Sequence, residues 1–400
     1  WSATLPALAD GSYAATALAI DAAGNASLAS TPFTFGIDAT APVAAVVTAG
    51  GGTTRDATPA LIGTGEAGST VTLLNGTTPI GTAVVGADGT FTVSPTTPLA
   101  DGAYALAVQL TDAAGNVGAA SAPVGVVIDT GAPASPTLAA VTGPTNDSTP
   151  VLTGTAEAGS TVTLLNGTAV LGTAVADQTG AFSLTPATPL GDGSYALTAT
   201  ATDAAGNVSG ASAPVTVAID TAAPALATVA GPTGPTSDAT PALTGTGEAG
   251  STVTLLNGTT PIGTAVVGAD GTFTVSPTTP LADGAYALAV QLTDAAGNVG
   301  AASAPVGVVI DTGAPASPTL AAVTGPTNDS TPVLTGTAEA GTTVTLLNGT
   351  AVLGTAVADQ TGAFSLTPAT PLGDGSYALT ATATDAAGNV SGASAPVTVA

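Results

Sequence analysis

Apolar positions alternate with Thr, Ala and Gly along nearly the whole chain, and no stretch carries the three-to-four-residue spacing of an amphipathic helix. Residues 41–131 show the pattern most clearly. Strands are predicted near Val43–Val47, Ala60–Thr64, Thr70–Leu74, Ile80–Val85, Thr90–Val93, Tyr104–Leu110 and Pro123–Ile128, here called A to G. Turns are expected at Asn75-Gly76 and Asp88-Gly89. Alternation puts Leu61, Val71, Leu73, Phe91, Val93, Tyr104, Leu106, Val108, Val124, Val126 and Ile128 on the inward faces. Seven short strands in about 90 residues predict an immunoglobulin-like β-sandwich, with Tyr104 placed as a corner tyrosine opening strand F.

The pattern recurs. Asp-Ala-Ala-Gly-Asn begins at Asp21, Asp112, Asp203, Asp294 and Asp385, an interval of 91 residues each time. Residues 66–159 reappear almost unchanged at 248–341, so two repeat types alternate as A-B-A-B. A short Ile-Asp linker ending in Pro42, Pro133, Pro224 and Pro315 marks the boundaries, because proline stops a strand from continuing. Cutting there leaves a partial repeat at 1–40, type A repeats at 41–131 and 223–313, and type B repeats at 132–222 and 314–400, the last truncated. The expected architecture is all-β, a tandem array of seven-stranded immunoglobulin-like sandwiches strung as beads in an elongated rod.

Composition narrows the chemistry. The 400 residues carry a net charge of −25, with Arg55 as the single basic residue and no His, Cys or Met. General bases, Schiff-base amines and thiol nucleophiles are mostly missing, so an enzyme is not expected. Zinc and soft metals lose their usual ligands, and only oxygen donors remain, which suit calcium or magnesium. Nucleic acid would be repelled. No apolar run reaches the roughly 18 residues of a bilayer span, so no membrane insertion is expected in this segment. A 44% hydrophobic content argues against acidic disorder. A start at Trp1 without a signal peptide reads as an internal piece of a longer chain.

Strand direction assigns the acids to the ends of each sandwich. Asp38 (linker), Glu66 (B–C loop) and Asp112 (F–G loop) converge at the N-terminal end of repeat 41–131. At its other end, Asp101 (E–F corner) and Asp129 (linker) meet Glu157 and Asp203 of the next repeat, with Asn207 and backbone carbonyls nearby. That is a hard oxygen set for calcium, which takes six to eight such ligands. Without an ion these anions repel one another, and a divalent cation would reverse that. Asp192 and Asp283 occupy the E–F position in later repeats. Other acids have plainer readings. Asp88, Asp56 and Asp147 fit turn chemistry, and the Asp-Gly corners at Asp101 and Asp192 share that alternative. Gly63-Thr64-Gly65 is not a dinucleotide loop, because a strand follows it rather than a helix. Asn75-Gly76-Thr77 reads as a hairpin turn rather than a glycosylation acceptor.

Three motifs at fixed spacing, Ile-Asp-Thr-x-Ala-Pro, Gly-Thr-x-Glu-Ala-Gly-Ser-Thr-Val-Thr-Leu and Thr-Asp-Ala-Ala-Gly-Asn-Val-Ser, resemble the bacterial immunoglobulin-like repeats of giant biofilm-associated and type I-secreted adhesins. The resemblance implies an extracellular, cell-surface extender region that serves cell adhesion and biofilm formation, stiffened by calcium at or near repeat junctions. Carried over residue by residue, it implies metal ligation by Asp38, Glu66 and Asp112, by Asp129, Glu157 and Asp203, by Asp220, Glu248 and Asp294, and by Asp311, Glu339 and Asp385. The partners so implied are calcium ions, neighbouring repeats of the same chain, and surface or host ligands held by domains outside this segment. A ligand-binding module for carbohydrate or host protein, or the stalk of a secreted enzyme, is the alternative. The first of these calls for exposed loop aromatics, and only Trp1 qualifies.

Overall fold

The computed structural model describes residues 1–400 and contains strands without helices. Two compact units are present. One comprises Trp1–Val141, Thr149–Pro189 and Tyr195–Val217; the other comprises Thr142–Ser148, Leu190–Ser194 and Ala218–Ala400. The division does not follow the linkers, because two loops and the last residues of repeat 132–222 go with the second unit.

In the first unit, β1 (Gly11–Ala15) and β2 (Phe33–Ile37) form an antiparallel pair. Repeat 41–131 supplies β3 (Val46–Ala49), β4 (Gly52–Thr54), β5 (Leu61–Thr64), β6 (Thr70–Asn75), β7 (Thr78–Val84), β8 (Thr90–Val93), β9 (Gly102–Thr111) and β10 (Val124–Ile128). One sheet has the order β3-β5-β8 and the other β4-β10-β9-β6-β7. Neighbours are antiparallel except β4 and β10, which run parallel. In the second unit, repeat 223–313 shows a matching three-stranded sheet of Thr228–Ala230, Leu243–Thr246 and Thr272–Val275.

All eleven positions expected to point inward do so. Nine are buried, and Tyr104 and Val124 pack half-buried against them. Ala45, Val85 and Leu110 complete the cluster. The two repeat types fill one site differently. In type A, a Cβ on Gly65 would come within 2.7 Å of the Leu110 side chain, and Gly247 stands in the same relation to Leu292. Type B has Ala156 with Ala201, and Ala338 with Ala383. A methyl added just after one strand is thus matched by a shorter side chain on the strand it meets, as a close-packed core requires.

Two expectations shift. The first strand begins at Val46 rather than Val43, which is exposed, and it breaks into β3 and β4. The break falls at Gly50 and Gly52, with φ of 113° and 108°, a region open to glycine that lets the chain cross from one sheet to the other. The hairpin between β6 and β7 turns on Gly76 and Thr77, since Asn75 already pairs with Thr78. Gly76 has φ 62° and no non-glycine residue has positive φ, so the turn places glycine first, as in a II′ hairpin, and is not an Asn-Gly I′ turn.

The corner tyrosine is present. Tyr104 Oη donates to the Ala100 carbonyl at 2.9 Å, and Tyr286 does the same to Ala282 at 2.9 Å. Replacing Tyr286 by Phe removes this bond and should lower equilibrium stability by about 1 kcal/mol. The expected readout is a lower urea midpoint at unchanged m-value; an unaltered midpoint would show the corner bond to be idle.

Candidate functional site at the repeat junctions

The F–G loop Asp-Ala-Ala-Gly-Asn is a self-contained cap. Asp203 Oδ1 accepts from the N–H groups of Ala205 (2.8 Å) and Asn207 (2.9 Å). Its Oδ2 accepts from the Asn207 amide at 2.8 Å. Gly206, at φ 91°, supplies the left-handed residue that closes the loop. Asp112 and Asp294 are held in the same three-bond way. An aspartate here uses local donors two and four residues on, which is the ordinary preference of this side chain.

Each Asn has a second bond that leaves its own repeat. Asn207 Nδ2 also donates to the Asp129 carbonyl at 2.8 Å. Asn116 reaches Asp38 (3.0 Å), Asn298 reaches Asp220 (2.7 Å) and Asn389 reaches Asp311 (2.7 Å). The carboxylate thus orients an amide that grips the linker preceding its repeat. Asn207 and Asn298 are 7% and 8% exposed, so their two bonds are largely shielded from water.

The linker aspartates and the E–F corner aspartates hold the linker from the other side. Asp101 Oδ1 accepts from Thr130 N (3.0 Å) and Oγ1 (2.9 Å). Asp192 engages Thr221, and Asp283 engages Thr312, in the same manner. The linker carboxylates of Asp38, Asp129, Asp220 and Asp311 each accept one N–H two residues on. A third contact comes from the A–B loop: Arg55 Nη1 donates to Gly206 O at 2.9 Å. The equivalent Asn146 and Ser237 donate through their backbone N–H to Ala296 O and Ala387 O, both at 3.2 Å. The bonds from the E–F aspartates to the linker Thr and from the A–B loop were missed in the sequence. Their only signal was shared register, 91 residues apart.

The carboxylates named from the sequence are at the junctions, but no three acidic side chains come together in a group that could hold a metal. Glu66, Glu157, Glu248 and Glu339 are exposed. What they contribute is backbone: Glu157 O accepts from Ser160 N and Oγ. Asp203 has both oxygens engaged by its own loop. At one junction two carboxylates flank the same glycine. A Cβ on Gly313 would lie 3.4 Å from Asp311 Oδ1 and 4.0 Å from Asp283 Oδ2. Asp88 and Asp56 bond to Thr90 and Thr58 within their own turns.

The F–G carboxyls lie below their ordinary range. For Asp112 the Asn116 amide is the main cause. For Asp203, Asp294 and Asp385 burial is the largest influence and pushes upward, but the Asn side-chain and loop N–H bonds together outweigh it.

Sheet order, the corner tyrosine and the loop register define this as a chain of linked β-sandwich modules. The model of the bacterial Ig-like domain family matches residues 47–130, 139–221, 230–312 and 321–400, and the chain belongs to that family. Matches among solved structures include the BSP domain of a biofilm associated protein, at 14% identity over 90% of this chain and 96% of that one, with a TM-score of 0.18. A marsupial T cell receptor matches at 11% identity over 62% and 95%, TM-score 0.33. The SGBP-B protein of a Bacteroides ovatus mixed-linkage glucan utilization locus matches at 15% over 84% and 88%, TM-score 0.18. No curated protein matches.

Two outcomes are expected. Arg55 is the single Lys or Arg, so trypsin can cut only after it. Asn207→Ala, which leaves the Asp129 carbonyl without its donor, should speed that cleavage, whereas Asn298→Ala at a different junction should not. Equal rates in wild type and Asn207→Ala would remove the latch. Second, a depressed folded pKa gives stability that is present above the unfolded value, near 3.8, and is lost as pH falls through the folded one. The thermal midpoint should therefore drop as pH goes below about 4, and this drop should shrink in Asp203→Asn; an equal drop in both would detach the loop acids from acid sensitivity.

Proposed function

We propose that this chain is a length of the extender region of a bacterial cell-surface adhesin, with repeats that serve as spacers between a cell and a distant binding domain, and with calcium at the junctions to stiffen them. The observation that carries the spacer reading is the recurrence of one latch. At four successive boundaries the linker aspartate's carbonyl accepts an amide from the repeat that follows it. A string of independent modules has no use for the same polar bond at every linker. A spacer that must hold its successive modules in line does.

Calcium fits the donor chemistry at these places. Carboxylates and carbonyls are the only strong ligands available, and cations are almost wanting. At one junction an oxygen of the linker Asp311 and an oxygen of the E–F Asp283 both lie within 4.0 Å of the place a Cβ on Gly313 would take. At the junction after repeat 41–131, Asp101, Asp129, Glu157 and Asp203 would hold the ion. Asp203 would exchange loop donors for it, and the exposed Glu157 side chain is free to join. The ion would supply positive charge where like charges otherwise repel.

Calorimetric titration of the chain with calcium should release or absorb heat at dissociation constants of roughly 10⁻⁴–10⁻³ M, the range of extracellular modules. Glu157→Ala and Asp203→Ala should each weaken it. No heat, or no loss in either variant, ends the calcium reading. Small-angle scattering should show a larger maximum dimension in calcium than in chelator. The surface reading is checked separately: antibodies to the repeats should label intact cells of the source bacterium, and labelling only after permeabilisation would reject it.

A further inference from the structure

We propose that the asparagines at the hairpin tips, Asn75, Asn166, Asn257 and Asn348, are sites of spontaneous covalent modification, converted through a cyclic imide to aspartate and isoaspartate, while the latch asparagines are spared. The proposal is independent of the spacer reading above, because it rests on the surroundings of two kinds of asparagine.

The step needs only water. The backbone nitrogen after an asparagine attacks the side-chain Cγ. A bond forms between that nitrogen and Cγ, and the bond from Cγ to the amide nitrogen breaks. The amide leaves as ammonia, taking the proton that the backbone nitrogen gives up. Water then opens the imide at either carbonyl. Opening at Cγ returns the normal chain with an aspartate side chain. Opening at the main-chain carbonyl routes the chain through the side chain as isoaspartate and adds a methylene to the backbone. The attack requires an accessible nitrogen, an unengaged amide, and freedom to turn the following peptide toward Cγ.

The tips meet these requirements. Asn-Gly occurs at these four places and nowhere else in the chain. Gly76, Gly167, Gly258 and Gly349 are exposed, and their N–H groups donate to no protein acceptor. Nothing lies within 4 Å of the place a Cβ on any of them would take. The four side-chain amides have no hydrogen-bond partner in the protein. Leu106 of β9 pairs with Asn75 from one side, and the turn to β7 is closed by the Asn75–Thr78 pair beside a bulge. Ring closure needs that turn to swing out, and fraying at an exposed tip costs far less than opening the whole repeat.

The latch asparagines are held against the same attack. Asn207 Nδ2 donates to Asp203 Oδ2 and to the Asp129 carbonyl, both at 2.8 Å. The peptide that would have to turn is fixed, because Asn207 O accepts from Asp203 N–H at 3.1 Å. The next residue is Val208, whose branched side chain crowds the attacking nitrogen and whose backbone bridges to Thr202. Asn116, Asn298 and Asn389 have the same carbonyl bond, each at 3.1 Å, and the same following valine. Conversion therefore falls on the tips, where each event adds a carboxylate to a chain with a single basic residue to answer it.

The test is to incubate the whole folded chain at neutral pH and physiological temperature, following it by isoelectric focusing and by peptide mass mapping, with an isoaspartate-specific methyltransferase to mark the rearranged product. Stepwise acidic bands should appear, and the exchange of amide for carboxyl should map to the tips and not to the latches. In urea the latch asparagines should convert faster than in the folded chain. Gly258→Ala sets a Cβ beside the attacking nitrogen and should slow conversion at Asn257 alone. Asn257→Gln, whose amide closes a larger and slower-forming ring, should end it there and decides the matter if Gly258→Ala does not fold. Tyr286→Phe raises the unfolded population of that repeat about fivefold, yet should leave the rate at Asn257 unchanged, since only the tip has to open. Unmodified tips, equal rates at tips and latches, no acceleration of the latches in urea, or a fivefold rise at Asn257 in Tyr286→Phe would overturn the assignment.

Discussion

The governing constraint is a shortage of cations. With 26 carboxylates and one basic residue, acid side chains here cannot be settled by ion pairs. They are settled by N–H and O–H donors instead, and loops are where unused backbone N–H groups are found. Most of the acids in consequence sit at turns, corners and linkers, each drawing on donors a few residues away or on a neighbouring threonine. Charge is thereby concentrated at the ends of each sandwich, where successive modules meet, and the sheets are left to Thr, Ala and apolar residues.

That concentration ties cohesion and repulsion to the same few residues. An F–G aspartate bonded to its asparagine positions an amide for the linker carbonyl, so a negative charge serves a contact between modules. The contact works because the grip on the linker is made by a neutral amide and a peptide carbonyl, which feel no net repulsion. The carboxylates on the linker and the E–F corner are only partly used by the chain's own donors. In the linker aspartate, N–H and C=O serve different modules, so a single residue is bonded to both.

Much of the fold was legible in the sequence. Period-2 alternation named the buried set in repeat 41–131 without an error of face, because a strand's side chains can point only two ways and one of them is wet. Tyr104 was readable as a corner residue from its place at the start of a strand after a Gly-containing turn. The strand split at Gly50 was not readable, since three successive glycines are equally compatible with a loop, and only the partner sheet gives β4 a place to pair. The turn at Gly76-Thr77 was misplaced by one residue because Asn-Gly is a strong local signal, while the pairing of Asn75 with Thr78 depends on the bulge beside Leu74.

The sequence alone determined that the chain is all-β and repeats every 91 residues, and it determined which acids recur at each boundary. These are properties of local periodicity and of spacing, which need no knowledge of distant contacts. Tertiary structure decided what the acids do there. An aspartate that can close a loop with donors two and four residues on loses little chain entropy in doing so, whereas gathering four carboxylates from two modules must overcome both repulsion and the cost of ordering long side chains. The local bonds therefore take the F–G aspartates, the glutamates stay in water, and the asparagine beside each aspartate becomes the residue that reaches across.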